Sequence, residues 1–132
     1  MNDPDVLGPL TKILGTRGRF GHREHLELAW TYLGQSPVDV AGPQMAAAIG
    51  HVAEVHGTPE RTHETITISW VLLVAVHRQK SSGANFDEFI AENPGLLDRR
   101  LLDGHYSPEL LWSEEARRRW TSPDLRPLPR VA

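Results

Sequence analysis

The stretch ITISWVLLVAV, from Ile66 to Val76, decides the fold that the sequence predicts. It is apolar nearly all round, which is the pattern of a helix that neighbouring elements surround. Its β-branched residues also suit a strand, but the length of the segment and the absence of alternation favour a helix. We therefore predict a central helix from about Arg61 to Lys80, which Ser81-Ser82-Gly83 ends.

Two further helices are predicted before the central one. Apolar residues at three- and four-residue spacing indicate a helix from about His22 to Leu33, which the breaker Gly34-Gln35-Ser36-Pro37 ends. The next helix starts with Ser36 as its N-cap, kinks or restarts at Gly42-Pro43 and ends at Gly57. Sequential helices joined by short turns normally pack antiparallel as neighbours. The expected fold is all-α, a bundle of three main antiparallel helices.

The flanking segments are expected to be shorter and less regular. Glycine and proline interrupt residues 1–19 so often that we expect a partly flexible arm there, followed by a helical domain over residues 20–122. Four cap signals predict short C-terminal helices packed over the bundle. These signals are Asn85 with Glu88, Asn93-Pro94, Ser107-Pro108 and Ser113. Three prolines predict an extended, proline-rich tail over residues 123–132.

Composition narrows the class of protein. A chain of 132 residues is long enough for one core, and 39% apolar with 23% charged residues is far from the composition of a disordered chain. A formal net charge of -3 gives no electrostatic reason to bind nucleic acid or an anionic membrane. The start of the chain lacks signal-peptide features, and the longest apolar run, Val71 to Val76, is too short to cross a bilayer. We expect a soluble cytoplasmic protein.

The predicted packing brings histidines from three helices to one end of the bundle. That end holds His22, His25, His56, His63 and Glu64. Two histidines three residues apart on a helix can reach one ion, and a third from a facing helix completes the open arrangement of a catalytic metal site. We therefore predict that His22, His25 and His63 hold one metal ion, with His56 as a further candidate ligand.

The chemistry of the predicted site follows from its ligands. The chain has no cysteine, so that any metal must be held by nitrogen and oxygen, and histidine nitrogen suits divalent zinc, copper, iron, nickel or manganese. Glu64 lies about 100° around the helix from His63, where it can be a ligand, orient a histidine or act as a general base. Thr67 lies one turn above His63, where its hydroxyl can bond a substrate or its own helix carbonyl. Glu64 and Thr67 are the catalytic candidates.

These residues predict a small metal-dependent enzyme, a hydrolase, lyase or oxidoreductase that acts on a small organic molecule. The metal would polarise the substrate or activate water or dioxygen. The first alternative is a metal-free enzyme in which His63 or His25 is the general base and Glu64 orients it. The second is a non-enzymatic interaction module, whose tail or apolar face docks a partner. A homodimer is a further expectation, and a concentration-dependent oligomer without metal or pocket would favour the interaction module.

Two better-known metal patterns match only in part. The segment His63-Glu64-Thr65-Ile66-Thr67 resembles the opening of the zincin motif His-Glu-x-x-His, but Thr67 stands in place of the second histidine. Glu60 and His63 have the Glu-x-x-His spacing of ferritin-like di-iron bundles, which need a second such pair on a facing helix. His51 and Glu54 have the reverse order and do not supply it. A protease and a di-iron oxidase are therefore disfavoured.

Three segments of the chain resemble those of small bacterial helical proteins. They are Phe-x-His-x-x-His-Leu with Ala-Trp (Phe20 to Trp30), His-Glu-Thr-Ile-Thr (His63 to Thr67) and Pro-Asp-Leu-x-Pro-Leu-Pro (Pro123 to Pro129). The resemblance covers most of the chain from residue 20 onward. It supports treating the histidines as a unit and implies no reaction.

Overall fold

The computed structural model describes residues 4–17, 20–58 and 62–131, and no β-strand occurs in these ranges. The all-α fold is confirmed. The helices are α1 (Pro4–Arg17), α2 (His22–Leu33), α3 (Val38–Val55), α4 (Glu64–Lys80), α5 (Phe86–Glu92), α6 (Pro108–Leu111) and α7 (Glu114–Arg118), with 3-10 helices at Pro94–Leu97 and Leu101–Gly104. None of the helices in these ranges is long and apolar enough to cross a membrane.

The helices α2, α3 and α4 pack on one another and form the bundle. Helix α4 is central, as its sequence predicts, because most of its residues between Thr65 and Val76 are buried. Its Trp70, Val71 and Val74 belong to the same core as buried residues of α2 and α3. Apolar burial on this scale contributes about 25 cal/mol for each Å² removed from water. The burial of apolar side chains of α4 therefore contributes more to the stability of the bundle than the helix propensities of its residues do.

The N-terminal segment, for which the sequence predicts a partly flexible arm over residues 1–19 with a possible short helix from Val6 to Leu14, contains a longer helix. Pro4–Arg17 form helix α1, which packs on α2 and α3, while residues 1–3 and 18–19 lie outside the described part of the chain. Helix breakers such as Gly8 and Pro9 weaken this helix locally. Leu10 and Ile13 nevertheless reach the core, with exposed fractions of 2% and 5%. Tertiary burial outweighs the unfavourable local sequence here.

Two predicted helix starts are shifted. Helix α3 begins after Pro37 rather than after Ser36, and it runs through Gly42-Pro43 without a restart. Helix α4 begins at Glu64 with His63 as its N-cap, so that His63 precedes the helix instead of lying within it. Residue 61, where this helix was expected to start, lies outside the described residues. This N-cap position determines which groups the ring nitrogens of His63 contact.

Three predicted C-terminal helices begin at their predicted side-chain caps, whereas Asn93 makes no side-chain cap hydrogen bond. The side-chain oxygen of Asn85 accepts a hydrogen bond from the Glu88 N–H at 2.9 Å and opens α5. The hydroxyl oxygens of Ser107 and Ser113 accept from the N–H groups three residues ahead and open α6 and α7. Pro94 opens a 3-10 helix. An N-cap side chain satisfies a backbone N–H that has no partner inside the helix.

The described segment after α7 has no helix and is hydrogen-bonded to the turn at residues 105–107. The Asp124 carboxylate accepts hydrogen bonds from the Ser107 N–H at 2.8 Å and from its hydroxyl at 2.6 Å. The Leu125 N–H donates to the His105 carbonyl at 2.9 Å. The buried Tyr106 hydroxyl donates to the Thr121 carbonyl at 2.6 Å. The described part of the tail is thus part of the folded domain.

Thr65 joins α4 to the C-terminal segment, and its replacement by valine is expected to reduce the free energy of unfolding by about 2 kcal/mol. Its fully buried hydroxyl donates to the Arg119 carbonyl at 2.8 Å and accepts from the Thr121 N–H at 3.1 Å. Valine keeps the shape but leaves both backbone groups without this partner. Urea unfolding of Thr65→Val and Thr65→Ser measures the effect, since serine keeps the hydroxyl. Equal losses in the two variants would show that the hydroxyl contributes nothing.

Candidate functional site: a histidine cleft

A cleft of about 490 Å³ opens between the start of α2, helix α4 and the segment from residue 99 to residue 112. We call it the histidine cleft. Its lining includes Phe20, His22, His25, Trp70, Arg99 and Trp112. Two of the four histidines predicted at this end of the bundle therefore do face a common space. The other two lie outside the lining.

His22 is the first residue of α2 and is fixed by two contacts. Its Nε2–H donates to the Leu96 carbonyl at 2.9 Å, because a carbonyl can only accept. Its ring packs edge-on against Trp70 with 4.5 Å between the ring centroids. Burial lowers the pKa of His22 and the charge of Arg99 adds to this shift, whereas the bond to Leu96 and the charge of Asp98 oppose it. His22 is therefore a wall of the cleft held in one orientation.

His25 lies one turn further along α2 and has the least satisfied ring in the cleft. Its Nε2 is buried and has no hydrogen-bond partner among the described residues. The ring lies near Phe20, with 5.8 Å between the centroids. Burial first, and the neighbouring His22 second, lower the pKa of His25 from its ordinary value of 6.5 to about 4. His25 is therefore neutral at pH 7, and within residues 4–17, 20–58 and 62–131 its buried nitrogen has no hydrogen bond of the kind that such atoms normally make.

His63 does not line the cleft but supports its wall. As the N-cap of α4, its Nδ1 accepts a hydrogen bond from the Ile66 N–H at 3.1 Å, so that the proton of the neutral ring sits on Nε2. This Nε2–H donates to the Leu111 carbonyl at 2.7 Å, and the ring packs edge-on against Trp112. Burial lowers the pKa of His63. Both ring nitrogens bind backbone groups, which differs from the ligand or general-base role expected for His63.

The remaining predicted residues lie away from the cleft lining. His56 is the exposed C-cap of α3. Glu64 is half-buried at the start of α4, where burial raises its pKa, and it makes no hydrogen bond or ion pair with another described residue. Thr67 is buried inside α4 with an exposed fraction of 5%. The structure therefore offers no contact through which Glu64 would orient His25 or His63.

The predicted metal ligands do not converge. In the parts of the chain that the structure describes, no three histidine, aspartate or glutamate side chains are grouped closely enough to hold one ion. His63 does not join His22 and His25 because it is the N-cap of α4, where its Nδ1 is directed to the N–H groups at the start of the helix. The metal-dependent enzyme stays a prediction that this geometry does not support.

Sequence reasoning missed the far wall of the cleft. Arg99, Arg100, Asp103 and Trp112 line it from the segment between α5 and α7. Arg100 forms a pair with Asp103 at 3.7 Å, whereas Arg99 forms no ion pair with another described residue. The only local signal is a charged run between leucine pairs, which is typical of any exposed turn. Tertiary packing alone places these side chains opposite α2.

The comparisons with known proteins leave the site to be interpreted from its own geometry. No protein-family model, no curated protein and no solved structure matches the chain.

Proposed function

We propose that the protein binds a small organic molecule in the histidine cleft, without a metal, through the neutral imidazole of His25. The observation that carries this proposal is the buried Nε2 of His25, which has no partner among the described residues although its ring belongs to the lining. Such an atom costs a folded protein about 1–3 kcal/mol. A polar group of a ligand would supply the missing hydrogen bond.

The size and lining of the cleft support binding of a small molecule. Ligand sites typically measure about 300–1,000 Å³ and combine aromatic or apolar walls with a few polar groups. The histidine cleft, at about 490 Å³, has Phe20 and Trp70 as apolar walls and His25 and Arg99 as polar groups. The fixed ring of His22 adds a preformed surface. A ligand would therefore meet partly preformed walls, and the ring of His25 would have to turn to bring its buried Nε2 to the ligand.

The low pKa of His25 favours binding over acid–base catalysis. A general base works best when its pKa lies near the operating pH, and a pKa of about 4 makes His25 a weak base at pH 7. The neutral ring is well suited to donate or accept one hydrogen bond. The metal-free enzyme inferred from the sequence is thus less well supported than a binding protein with the same cleft.

The metal-dependent enzyme remains the second candidate because His22 and His25 both line the cleft. These two side chains could provide two ligands, and the substrate or water would have to provide the rest. Elemental analysis of protein purified without a chelating resin separates the two proposals. About one equivalent of a transition metal that is lost in His25→Phe would overturn metal-free binding. The cytoplasmic location and a homodimer stay predictions.

The test of metal-free binding is the His25→Phe variant, which keeps a ring and removes both nitrogens. We expect it to abolish binding of the fragments that shift the indole N–H signals of Trp70 and Trp112 in a fragment screen by NMR. We also expect the free energy of unfolding at pH 7 to rise by about 1 kcal/mol, because an unsatisfied buried nitrogen is removed. Gain of stability together with loss of binding is the signature of a binding residue.

His77→Phe is the matched control. The Nδ1–H of His77 donates to the Leu73 carbonyl at 2.8 Å, and this histidine is not part of the cleft lining. The control should leave fragment binding unchanged and reduce the free energy of unfolding by about 1 kcal/mol. Unchanged binding in His25→Phe, or equal loss in both variants, would contradict the proposal.

A further inference from the structure

We infer that the ligand of the histidine cleft is a planar organic acid, with its carboxylate on Arg99 and its ring system among the aromatic side chains of the cleft. This inference rests on the proposed function and adds the chemical class of the ligand. It combines the shape of the lining, the charge at the cleft edge and the free nitrogen of His25.

The aromatic lining favours a flat ligand. Five lining side chains are rings: Phe20, His22, His25, Trp70 and Trp112. Trp112 is 64% exposed, although His63, which lies behind the cleft lining, packs edge-on against it. A large exposed ring in a cleft offers a surface for stacking or edge-to-face packing with another ring. An aliphatic ligand would use this lining less well than an aromatic one.

The charges at the cleft edge favour an anion. The chain as a whole carries a formal net charge of -3, yet two arginines and one aspartate line this cleft, which leaves one positive charge in excess. Arg100 is paired with Asp103 at 3.7 Å, and the Asp98 carboxylate accepts a hydrogen bond from the Arg100 backbone N–H at 3.0 Å. Arg99 is left as a lining cation with no ion pair among the described residues. One available guanidinium matches one carboxylate, which it can bind through two parallel hydrogen bonds.

The buried nitrogen of His25 is compatible with the same ligand. In the tautomer that carries its proton on Nε2, the neutral ring can donate to an acid or hydroxyl oxygen. The charge of Arg99 acts on this end of α2, where it lowers the pKa of His22 by more than the charge of Asp98 raises it. The positive charge of Arg99 would repel a cationic ligand. The cleft therefore discriminates by charge as well as by shape.

The probes for the test are 2-naphthoate and indole-3-carboxylate, each compared with its carboxamide. The amide keeps the planar shape and removes the charge. NMR titration of the full chain, followed by the indole N–H signals of Trp70 and Trp112, gives the dissociation constants. We expect each acid to bind at least tenfold more tightly than its amide. Arg99→Gln should reduce binding of the acid to the level of the amide and leave the amide unchanged.

Arg118→Gln is the matched control, because Arg118 is an exposed arginine of α7 paired with Glu114 at 3.2 Å and is not part of the cleft lining. It removes the same charge and should leave binding of both acids unchanged. Amides that bind as tightly as the acids would overturn the inference and leave the proposed function standing. Equal weakening by both arginine variants would also overturn it, since only net charge would then matter. If neither acid shifts the tryptophan signals of the folded protein, the inference is overturned, and the fragment screen with His25→Phe decides the proposed function separately.

Discussion

Acidification from pH 7 to below pH 4 is expected to reduce the free energy of unfolding by about 3 kcal/mol through His25 alone. Burial lowers the pKa of His25 from 6.5 to about 4. Between these two values the unfolded chain binds a proton at this residue and the folded chain does not. Protons therefore favour the unfolded state, and the contribution of His25 to stability is complete above pH 6.5 and falls as the pH drops towards 4.

Urea unfolding of the protein and of His25→Phe at pH 7, 5.5 and 4 measures the contribution of His25 to the free energy of unfolding. Carboxyl groups also titrate at low pH, but they do so in both proteins, so that the difference between the two pH profiles isolates His25. The two profiles should diverge below pH 6.5, with the variant losing less stability. Parallel profiles would show that His25 is not held neutral by the fold.

His22 and His63 are expected to leave a smaller acid dependence in the His25→Phe variant. Burial is the main cause that lowers the pKa of both, and a backbone hydrogen bond opposes the shift in each. Protonation of His63 would also remove its Nδ1 as an acceptor for the Ile66 N–H. The sign is the same as for His25, because the folded state again binds protons less well than the unfolded state.

The parts of the fold that local signals determine could be predicted from the sequence. Helix α2 runs from His22 to Leu33, as its apolar spacing predicts, and Asn85, Ser107 and Ser113 act as the predicted caps. These features depend on residues three or four positions apart. The length of helix α1 was underestimated, because its stability depends on tertiary contacts of Leu10 and Ile13, which outweigh the local effect of glycine and proline.

Only the side of the site that α2 forms could be predicted from the sequence. His22 and His25 lie on one face of α2 and share the cleft, as their spacing of three residues indicates. His63 was placed inside α4, and a shift of the helix start turned a candidate ligand into a cap. Arg99 and Trp112 belong to short irregular segments whose position opposite α2 follows from packing over the whole chain. No pattern in a single sequence contains that information.

Replacement of His63 by alanine is expected to reduce the free energy of unfolding by about 3 kcal/mol, the second large effect. His63 is buried, with an exposed fraction of 9%, and its ring makes two backbone hydrogen bonds of different kinds. The bond from the Ile66 N–H to Nδ1 caps α4, and a lost cap costs about 1 kcal/mol. The bond from Nε2 to the Leu111 carbonyl is buried, and an acceptor left unpaired there costs about 1–3 kcal/mol.

His63→Asn separates the two contributions, because asparagine is a good N-cap but is too short to replace the whole imidazole at Leu111. Urea unfolding at pH 7 should show a loss of about 2 kcal/mol for asparagine and about 3 kcal/mol for alanine. Equal losses would mean that the cap contributes nothing and that the bond to Leu111 carries the effect. Both variants should also weaken ligand binding in the histidine cleft, since Leu111 and Trp112 line it and His63 packs behind them. An unchanged free energy of unfolding in both variants would show that His63 does not support the cleft wall. Its ring nitrogens would then again be candidates for binding a ligand.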